Sequence, residues 1–200
     1  MSNNNTYNGR AKLIAKMLRY LFLLNIGITI ASLFLGDVFA QFLPSLYWPG
    51  VILDAACTFG YAVMLLRMAD VDSQYKTAGY CILIAGALRL LGTSDSGNGS
   101  KLVLFLSMAL YMVQFIGEYN EMTAHDTLLI EADFYLSEKW TTLRKWYMFT
   151  FMAYCMSLMS VMVIPSVGAA LSMITSIGMI VVSGFKVYFL YRSYKVFEAM

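Results

Sequence analysis

Charged residues are scarce in this chain. They make up 13% of its 200 residues, about half of the ~25% that is typical of soluble domains. Hydrophobic residues make up 60% of the sequence. Because so few charges are available to meet water, this composition indicates that lipid forms part of the protein's surroundings. The formal net charge is only +2, so we expect no nucleic-acid partner.

Histidine and cysteine are also scarce, and this argues against most metal and hydrolase chemistry. The chain has one histidine, His125, and three cysteines that each lie in an apolar run: Cys57, Cys81 and Cys155. Their spacing matches no zinc motif, and there is no phosphate-binding glycine loop or dinucleotide motif. We therefore expect a non-enzymatic protein with no catalytic residue, no metal and no cofactor, whose cysteines pack as small hydrophobic residues.

Six apolar runs follow one another along the chain, and each predicts a transmembrane helix. A spanning helix needs about 20 residues, within a range of roughly 17–25. The predicted spans cover approximately residues 20–36, 50–68, 76–92, 101–118, 145–164 and 167–191. The predicted fold class is therefore all-α, with residues 1–200 forming a single transmembrane domain, an integral membrane bundle of six helices.

The connections between the runs differ in character. Pro165 and Ser166 predict a tight hairpin between the last two spans, and residues 93–100 predict a plain turn rich in glycine and serine. Tyr47 and Trp48 are typical of a membrane–water interface.

The one long connection, residues 119–145, carries a helical pattern of apolar residues. They recur at spacings of three and four: Leu129, Ala132, Leu136, Trp140 and Leu143. This stripe predicts an amphipathic surface helix near residues 127–143. We interpret the acidic residues of this segment as its water-facing side: Glu118, Glu121, Asp126, Glu131, Asp133 and Glu138. The alternative that these carboxylates bind a divalent cation beside His125 stays open.

Basic residues give the orientation, because cytoplasmic loops of membrane proteins are enriched in lysine and arginine. With both termini in the cytoplasm, only Lys101 falls outside, and Arg89 lies within the third span. Residues 1–19 form a disordered start and a basic amphipathic lead-in, and an anionic lipid partner is expected at the cytoplasmic face. The residues expected to contact it are Arg10, Lys12, Lys16, Arg19, Arg144 and Lys145.

A secretory signal peptide is the competing interpretation of the first run. Val38-Phe39-Ala40 after this run resembles a cleavage site, and cleavage would leave five helices in the same orientation. The run is longer than the ~7–15 apolar residues of such signals, so we favour an uncleaved first span.

Asp54 and Arg89 are the two ionisable residues that lie well inside predicted spans. Such groups are costly in lipid and mark candidate functional sites. Each is three or four residues from the outer end of its span, about 5–6 Å deep at 1.5 Å per residue. Because the second and third spans are consecutive and antiparallel, we predict an Asp54–Arg89 ion pair. It is either a packing element or part of a solute site.

Four further polar residues are candidates near the inner ends of the spans. Asn25 and Gln114 lie at similar depths and can form a hydrogen bond across the bundle. Glu118 and Lys186 lie at the inner ends of the fourth and sixth spans and can form an ion pair. Gly79 and Gly86 mark a face of the third span where another helix can approach closely.

Three segments resemble a known set of sequences. They are LLRMADVDSQYKTAGYCILIAG (residues 65–86), LSEKWTTLRKWYMF (136–149) and FKVYFLYRSYKVF (185–197). They resemble small multi-pass membrane proteins of Gram-positive anaerobic bacteria, a set without an assigned function. This resemblance implies a bacterial cytoplasmic membrane, and it implies no substrate and no site residue.

Two functional hypotheses follow from the sequence. The first is a membrane scaffold, sensor or accessory subunit, and it is favoured because the polar residues within the spans are few and shallow. The alternative is a small transporter or channel with a polar site between the second and third spans. A wet cavity that reaches past Asp54 and Arg89 would favour the alternative.

Overall fold

The computed structural model describes residues 3–35, 42–92 and 101–200 and is all-helical, as the sequence predicts. Within these ranges there are six long helices and no strand. The helices are α1 (Asn3–Leu35), α2 (Tyr47–Arg67), α3 (Ser73–Gly92), α4 (Lys101–Leu129), α5 (Phe134–Val163) and α6 (Pro165–Glu198). The predicted turn at 93–100 and the predicted cleavage site at 38–40 lie outside the described residues.

The six helices form a closed ring in chain order. Each helix packs against its neighbours in sequence, and α1 packs against α6. Glycines allow close approach at the α2–α3 contact: a Cβ on Gly79 would meet the carbonyl oxygen of Ala62 at 3.1 Å, and one on Gly86 would meet Thr58 Cγ2 at 3.1 Å. The predicted role of these two glycines in helix contact is confirmed. Because the ring is closed, it has an interior that all six helices surround.

The prediction of a surface helix near residues 127–143 is wrong. Helix α4 continues to Leu129, and α5 starts at Phe134 after a turn. Asp133 caps α5, because its carboxylate accepts a hydrogen bond from the backbone N–H of Leu136 at 3.0 Å. The apolar stripe therefore belongs to two antiparallel helix ends, and four of its residues are buried in the core: Leu129, Leu136, Trp140 and Leu143.

The structure of residues 3–19 also differs from the separate lead-in that the sequence predicts. Helix α1 starts at Asn3, so the polar start that we expected to be disordered is helical from there. Ile14 and Leu18 are buried in the same apolar cluster as Leu129 and Phe197. The lead-in is thus the first half of α1, and its apolar face packs into the bundle rather than lying on a membrane surface.

The two ends of the ring are packed differently. The largest fully buried side chains gather toward the end that holds both termini, and they include Tyr75, Trp140 and Leu190. Toward the other end, large apolar side chains are exposed on the outside of the ring, including Met156 and Met173. The packed end is called the inner end below, and the opposite end is the outer end.

Three of the described helical segments are long and apolar enough to cross a membrane: Gly9–Leu35, Tyr47–Asp70 and Ser166–Glu198. This is fewer than the six spans that we predicted. Helix α3 is the shortest, with 20 residues, and it carries Arg89. Parts of the third, fourth and fifth predicted spans fall among residues 91–108, 158 and 161–163, whose side chains lie outside the described part of the chain. The predicted hairpin at Pro165 is confirmed, since only Ile164 separates α5 from α6.

Candidate functional site

The interior of the ring contains a cavity of about 560 Å³. Side chains of α1, α2, α3, α4 and α6 line it, and many of them are polar. The polar residues at its wall are Asn25, Thr29, Ser32, Thr58, Tyr61, Arg89, Gln114, Glu118, Ser183 and Lys186. Five of the six polar residues predicted as candidates lie at this wall; Asp54 does not. A cavity with charged and polar groups in its wall, inside a ring with many exposed apolar side chains, is the feature of this chain that calls for a functional explanation.

Arg89 contacts Gln114 rather than Asp54. Its Nη2 donates a hydrogen bond to Oε1 of Gln114 at 2.6 Å, and no ion pair within 4.0 Å joins Arg89 to Asp54. The predicted direct pair is therefore wrong. The two residues do lie in neighbouring helices, and the positive charge of Arg89 still acts on the Asp54 carboxylate. Helix rotation explains the difference: Arg89 points into the cavity, whereas Asp54 is half-buried outside it.

Arg89 lies at its predicted depth along α3, but its side chain reaches well into the ring. Measured along α3, it is about 5 Å from the outer end at Gly92, at 1.5 Å per residue. Its partner Gln114 lies about 20 Å along α4 from the outer end at Lys101. Helix α4 thus extends further outward than α3, and the Arg89 guanidinium lies well inside the ring.

A chain of polar contacts runs inward from Arg89. Nε2 of Gln114 donates to Oε1 of Glu118 at 3.0 Å. The other oxygen of Glu118 lies 3.9 Å from Nζ of Lys186, so the expected Glu118–Lys186 pair is present. The predicted hydrogen bond between Asn25 and Gln114 is absent. Gln114 forms hydrogen bonds with Arg89 and Glu118 instead, and Asn25 lies beside the Tyr61 hydroxyl.

Lys186 has a closer partner that the sequence did not suggest. Its Nζ donates to Oε2 of Glu121 at 2.9 Å. Glu121 is fully buried, and the Lys186 side chain is only 8% exposed. The ammonium therefore lies between two carboxylates, one at the cavity wall and one beneath it. This shared cation forms the inner floor of the cavity.

Glu121 is surrounded by donors. The Tyr61 hydroxyl donates to its Oε1, and Nε2 of His125 faces the same oxygen at 3.5 Å. Burial alone would raise the pKa of the Glu121 carboxyl, but Lys186, His125 and Tyr61 together lower it to about 2. Glu121 is therefore ionised at neutral pH, and the interpretation of it as a water-facing residue is wrong.

His125 continues the polar chain to the inner end of the ring. Its Nδ1 lies 2.8 Å from the Tyr75 hydroxyl, and its ring lies against Trp140 with 4.6 Å between centroids. Burial lowers the pKa of this imidazole, so His125 is neutral at neutral pH. A neutral ring with its proton on Nε2 accepts the Tyr75 hydroxyl at Nδ1 and points its N–H toward Glu121.

A second polar cluster joins α4 to α5 outside the cavity. The Asp126 carboxylate accepts hydrogen bonds from Ser137 and Thr141, both at 2.6 Å. Arg144 lies 3.7 Å from the same carboxylate and donates to Thr123 at 2.8 Å. Arg144 is therefore held within the protein, whereas the neighbouring Lys145 is exposed.

The structure adds Glu121, His125, Tyr61, Tyr75 and Trp140 to the predicted candidates. A signal for two of them was present: Glu121 and His125 are four residues apart and share a helix face with Leu129, once α4 is taken to continue beyond residue 118. No group of three His, Cys, Asp or Glu side chains in the described part of the chain is placed to hold a metal ion.

Comparison with protein-family models, with curated proteins and with solved structures gave no match.

Proposed function

We propose that this chain is a small transporter of the bacterial cytoplasmic membrane that carries a polar solute through its central cavity. In this proposal all six helices cross the membrane and both termini are cytoplasmic. The observation that carries it is the polar cavity of about 560 Å³ inside the helix ring. Ligand sites in proteins commonly have volumes of roughly 300–1,000 Å³.

The closed ring supports six crossings. Helices α3, α4 and α5 complete the ring together with the three apolar candidate spans. They also expose large apolar side chains on the outside of the ring, such as Ile84, Met112 and Phe149. Exposure of these side chains to water would be unfavourable, because soluble proteins rarely expose contiguous apolar patches of more than a few hundred Å². In lipid they are the expected outer surface.

Basic residues support the orientation. Arg10, Lys12, Lys16, Arg19 and Lys145 are all exposed at or near the inner end of the ring. This end faces the cytoplasm under the positive-inside rule. The Lys186–Glu121 pair lies about 30 Å along α6 from Pro165, which is about one hydrocarbon thickness. The buried ion cluster therefore sits at the inner boundary of the membrane.

The polar cavity supports transport more than a purely structural role. Charged groups within a bilayer are costly and are found where they face a water-filled space or a substrate path. Arg89 lies at the cavity wall with the uncharged Gln114 as its hydrogen-bond acceptor. The buried hydroxyl of Thr58 also lies at this wall and has no hydrogen-bond partner in the described part of the chain. In this proposal the Arg89 guanidinium contacts the solute, whereas the Thr58 hydroxyl oxygen is itself buried.

The floor of the cavity provides a mechanism for passage. Lys186 donates to Glu121 at 2.9 Å and lies 3.9 Å from Glu118. A shift of its ammonium toward Glu118 weakens the contact with Glu121 and opens the floor beside Tyr61. The cation stays paired with Glu118 during this exchange, while the Glu121 carboxylate keeps the hydrogen bond from the Tyr61 hydroxyl.

A sensor or accessory subunit is the second candidate, and the dense packing of the inner end favours it. Glu121, His125 and Trp140 are fully buried beneath the floor. A solute that enters from outside would stop there unless the floor opens. In that case the cavity would be a receptor site rather than a path.

Two-sided cysteine labelling tests the proposal without knowledge of the solute. Ser183 lies at the cavity wall, whereas Val181, two residues away on α6, is 51% exposed on the outside of the ring. Ser183→Cys and Val181→Cys are made in a background without Cys57, Cys81 and Cys155. A membrane-impermeant methanethiosulfonate reagent is then applied to right-side-out and inside-out vesicles.

The transport proposal expects Ser183→Cys to react from both sides and Val181→Cys to react from neither. Reaction from the outer side alone supports the sensor candidate. Absence of reaction from both sides contradicts an accessible cavity and both candidates.

A further inference from the structure

A second hollow lies on the outside of the ring, between α5 and α6, with a volume of about 500 Å³. Its walls are apolar and include Trp146, Phe149, Ala153, Val181 and Phe185. We call this hollow the α5–α6 groove.

The two hydroxyls in the groove are not available to a ligand as hydrogen-bond donors. Thr150 donates to the carbonyl of Trp146 at 2.7 Å, and Thr175 donates to that of Leu171 at 3.0 Å. The groove therefore offers shape and apolar contact but no polar recognition. This chemistry fits a hydrocarbon chain and does not fit the polar solute proposed for the central cavity.

The length of the groove matches one leaflet of a bilayer. On α5 its lining runs from Leu143 to Ala153, which is about 15 Å at 1.5 Å per residue. The hydrocarbon core of a bilayer is about 30 Å thick. The groove begins near the inner membrane boundary and ends near the middle of the membrane.

The side chain of Lys145 lies at the inner end of the groove. A smaller hollow shares Trp146 and Phe149 with it and is also lined by Lys145. Lys145 is exposed, and its ammonium has no ion-pair partner among the residues that the structure describes. The neighbouring cations are engaged: Arg144 by Asp126 and Thr123, and Lys139 by the Tyr135 ring at 4.8 Å. Trp146, 59% exposed, has the amphipathic ring that prefers the headgroup level.

We propose that the α5–α6 groove binds an anionic phospholipid of the inner leaflet, with one acyl chain in the groove and the phosphate at Lys145. The proposal rests on the membrane insertion and orientation proposed above, but not on transport. A second copy of the chain is a poorer occupant, because helix–helix contacts in membranes favour small residues. The rim here is built from Trp146, Phe149 and Phe185.

Lipid retention measured by native mass spectrometry tests this proposal. The protein is reconstituted in nanodiscs with equal amounts of phosphatidylglycerol and phosphatidylcholine of the same acyl chains and is then released. Wild type is expected to retain phosphatidylglycerol over phosphatidylcholine by about fivefold, the ratio that one lysine near an anionic surface provides. Lys145→Gln removes the preference, and Ala153→Phe, which fills the groove, lowers the retention of both lipids.

Two matched controls separate the site from general effects. Lys76→Gln removes an exposed lysine at the inner end of α3, and Ala56→Phe enlarges an exposed alanine of α2. Both are expected to retain lipid like wild type. Equal retention of the two lipids by wild type overturns the proposal, as does an Ala56→Phe effect equal to that of Ala153→Phe. A dimer that Ala153→Phe abolishes would assign the groove to a second copy instead.

Membrane insertion is measured separately by extraction with alkaline carbonate, which releases a chain that is not inserted in the membrane. Failure of transport is read from the cysteine labelling and leaves the lipid proposal intact.

Discussion

Lys186→Met removes the cation from the floor of the cavity and leaves the fully buried Glu121 carboxylate with Tyr61 and His125 as its neighbours. Removal of one partner from a buried ion pair costs about 3–5 kcal/mol of folding free energy. We expect a loss in this range, because the Lys186 ammonium is 2.9 Å from one carboxylate and 3.9 Å from another. Methionine keeps the length of the lysine stem, so the loss reports charge rather than packing.

The double variant Glu121→Gln/Lys186→Met separates charge from volume. Its buried pair is neutral, so no unpaired charge remains, and the amide at position 121 still accepts the Tyr61 hydroxyl. We expect the double variant to be less destabilised than Lys186→Met alone, with a coupling energy of about 2 kcal/mol between the two sites.

Unfolding equilibria in mixed dodecyl maltoside and SDS micelles measure these differences. Lys195→Met serves as the matched control, because the Lys195–Glu198 pair has an even shorter distance, 2.6 Å, but both side chains are about half exposed. Its stability should not change measurably. A cost of less than about 1 kcal/mol for Lys186→Met, as for a surface pair, would refute the buried floor, and so would strict additivity in the double variant.

Four further predictions use the same unfolding assay. Burial lowers the pKa of His125, so the unfolded state takes up the proton first; stability should fall as pH drops below about 6.5 and should fall less in His125→Gln. The Glu121 contribution should be lost only below its ordinary pKa of 4.5, toward about 2. Asp54→Asn should cost less than about 1 kcal/mol, because no direct ion pair joins Asp54 to Arg89; a cost equal to that of Lys186→Met would contradict this. Asp133→Ala should cost about 1 kcal/mol through loss of the α5 cap, while Asp133→Asn, which can still cap, should cost less.

The apolar runs in the sequence were enough to locate the six helices. The predicted spans fall within or overlap the observed helices, because long apolar runs have few alternatives to helix. The helix ends were less well predicted. Helices α1, α4 and α5 continue past their apolar runs into amphipathic segments. The spacing of apolar residues from Leu129 to Leu143 fits one surface helix as well as it fits two helix ends packed in a core.

The candidate site was predicted only in part, for a geometrical reason. The sequence gives the depth of a residue along its own helix but not the rotation of that helix or its offset from its neighbours. Helix α3 therefore packs against α2, as expected, but the side chain of Arg89 bonds to Gln114 of α4, the neighbour on the opposite side. Glu121 was assigned to a water-facing side because the continuation of α4 was not recognised.

The labelling of Ser183→Cys from each side of the membrane tests the central claim most directly. If the ring is a transporter with a floor that Lys186 opens and closes, the thiol reacts from the outer and the inner side, and Lys186→Met changes the balance between the two rates. The thiol of Val181→Cys stays unreactive in both vesicle orientations. If Ser183→Cys is as unreactive as Val181→Cys from both sides, the interior of the ring is closed to water and the proposed path does not exist.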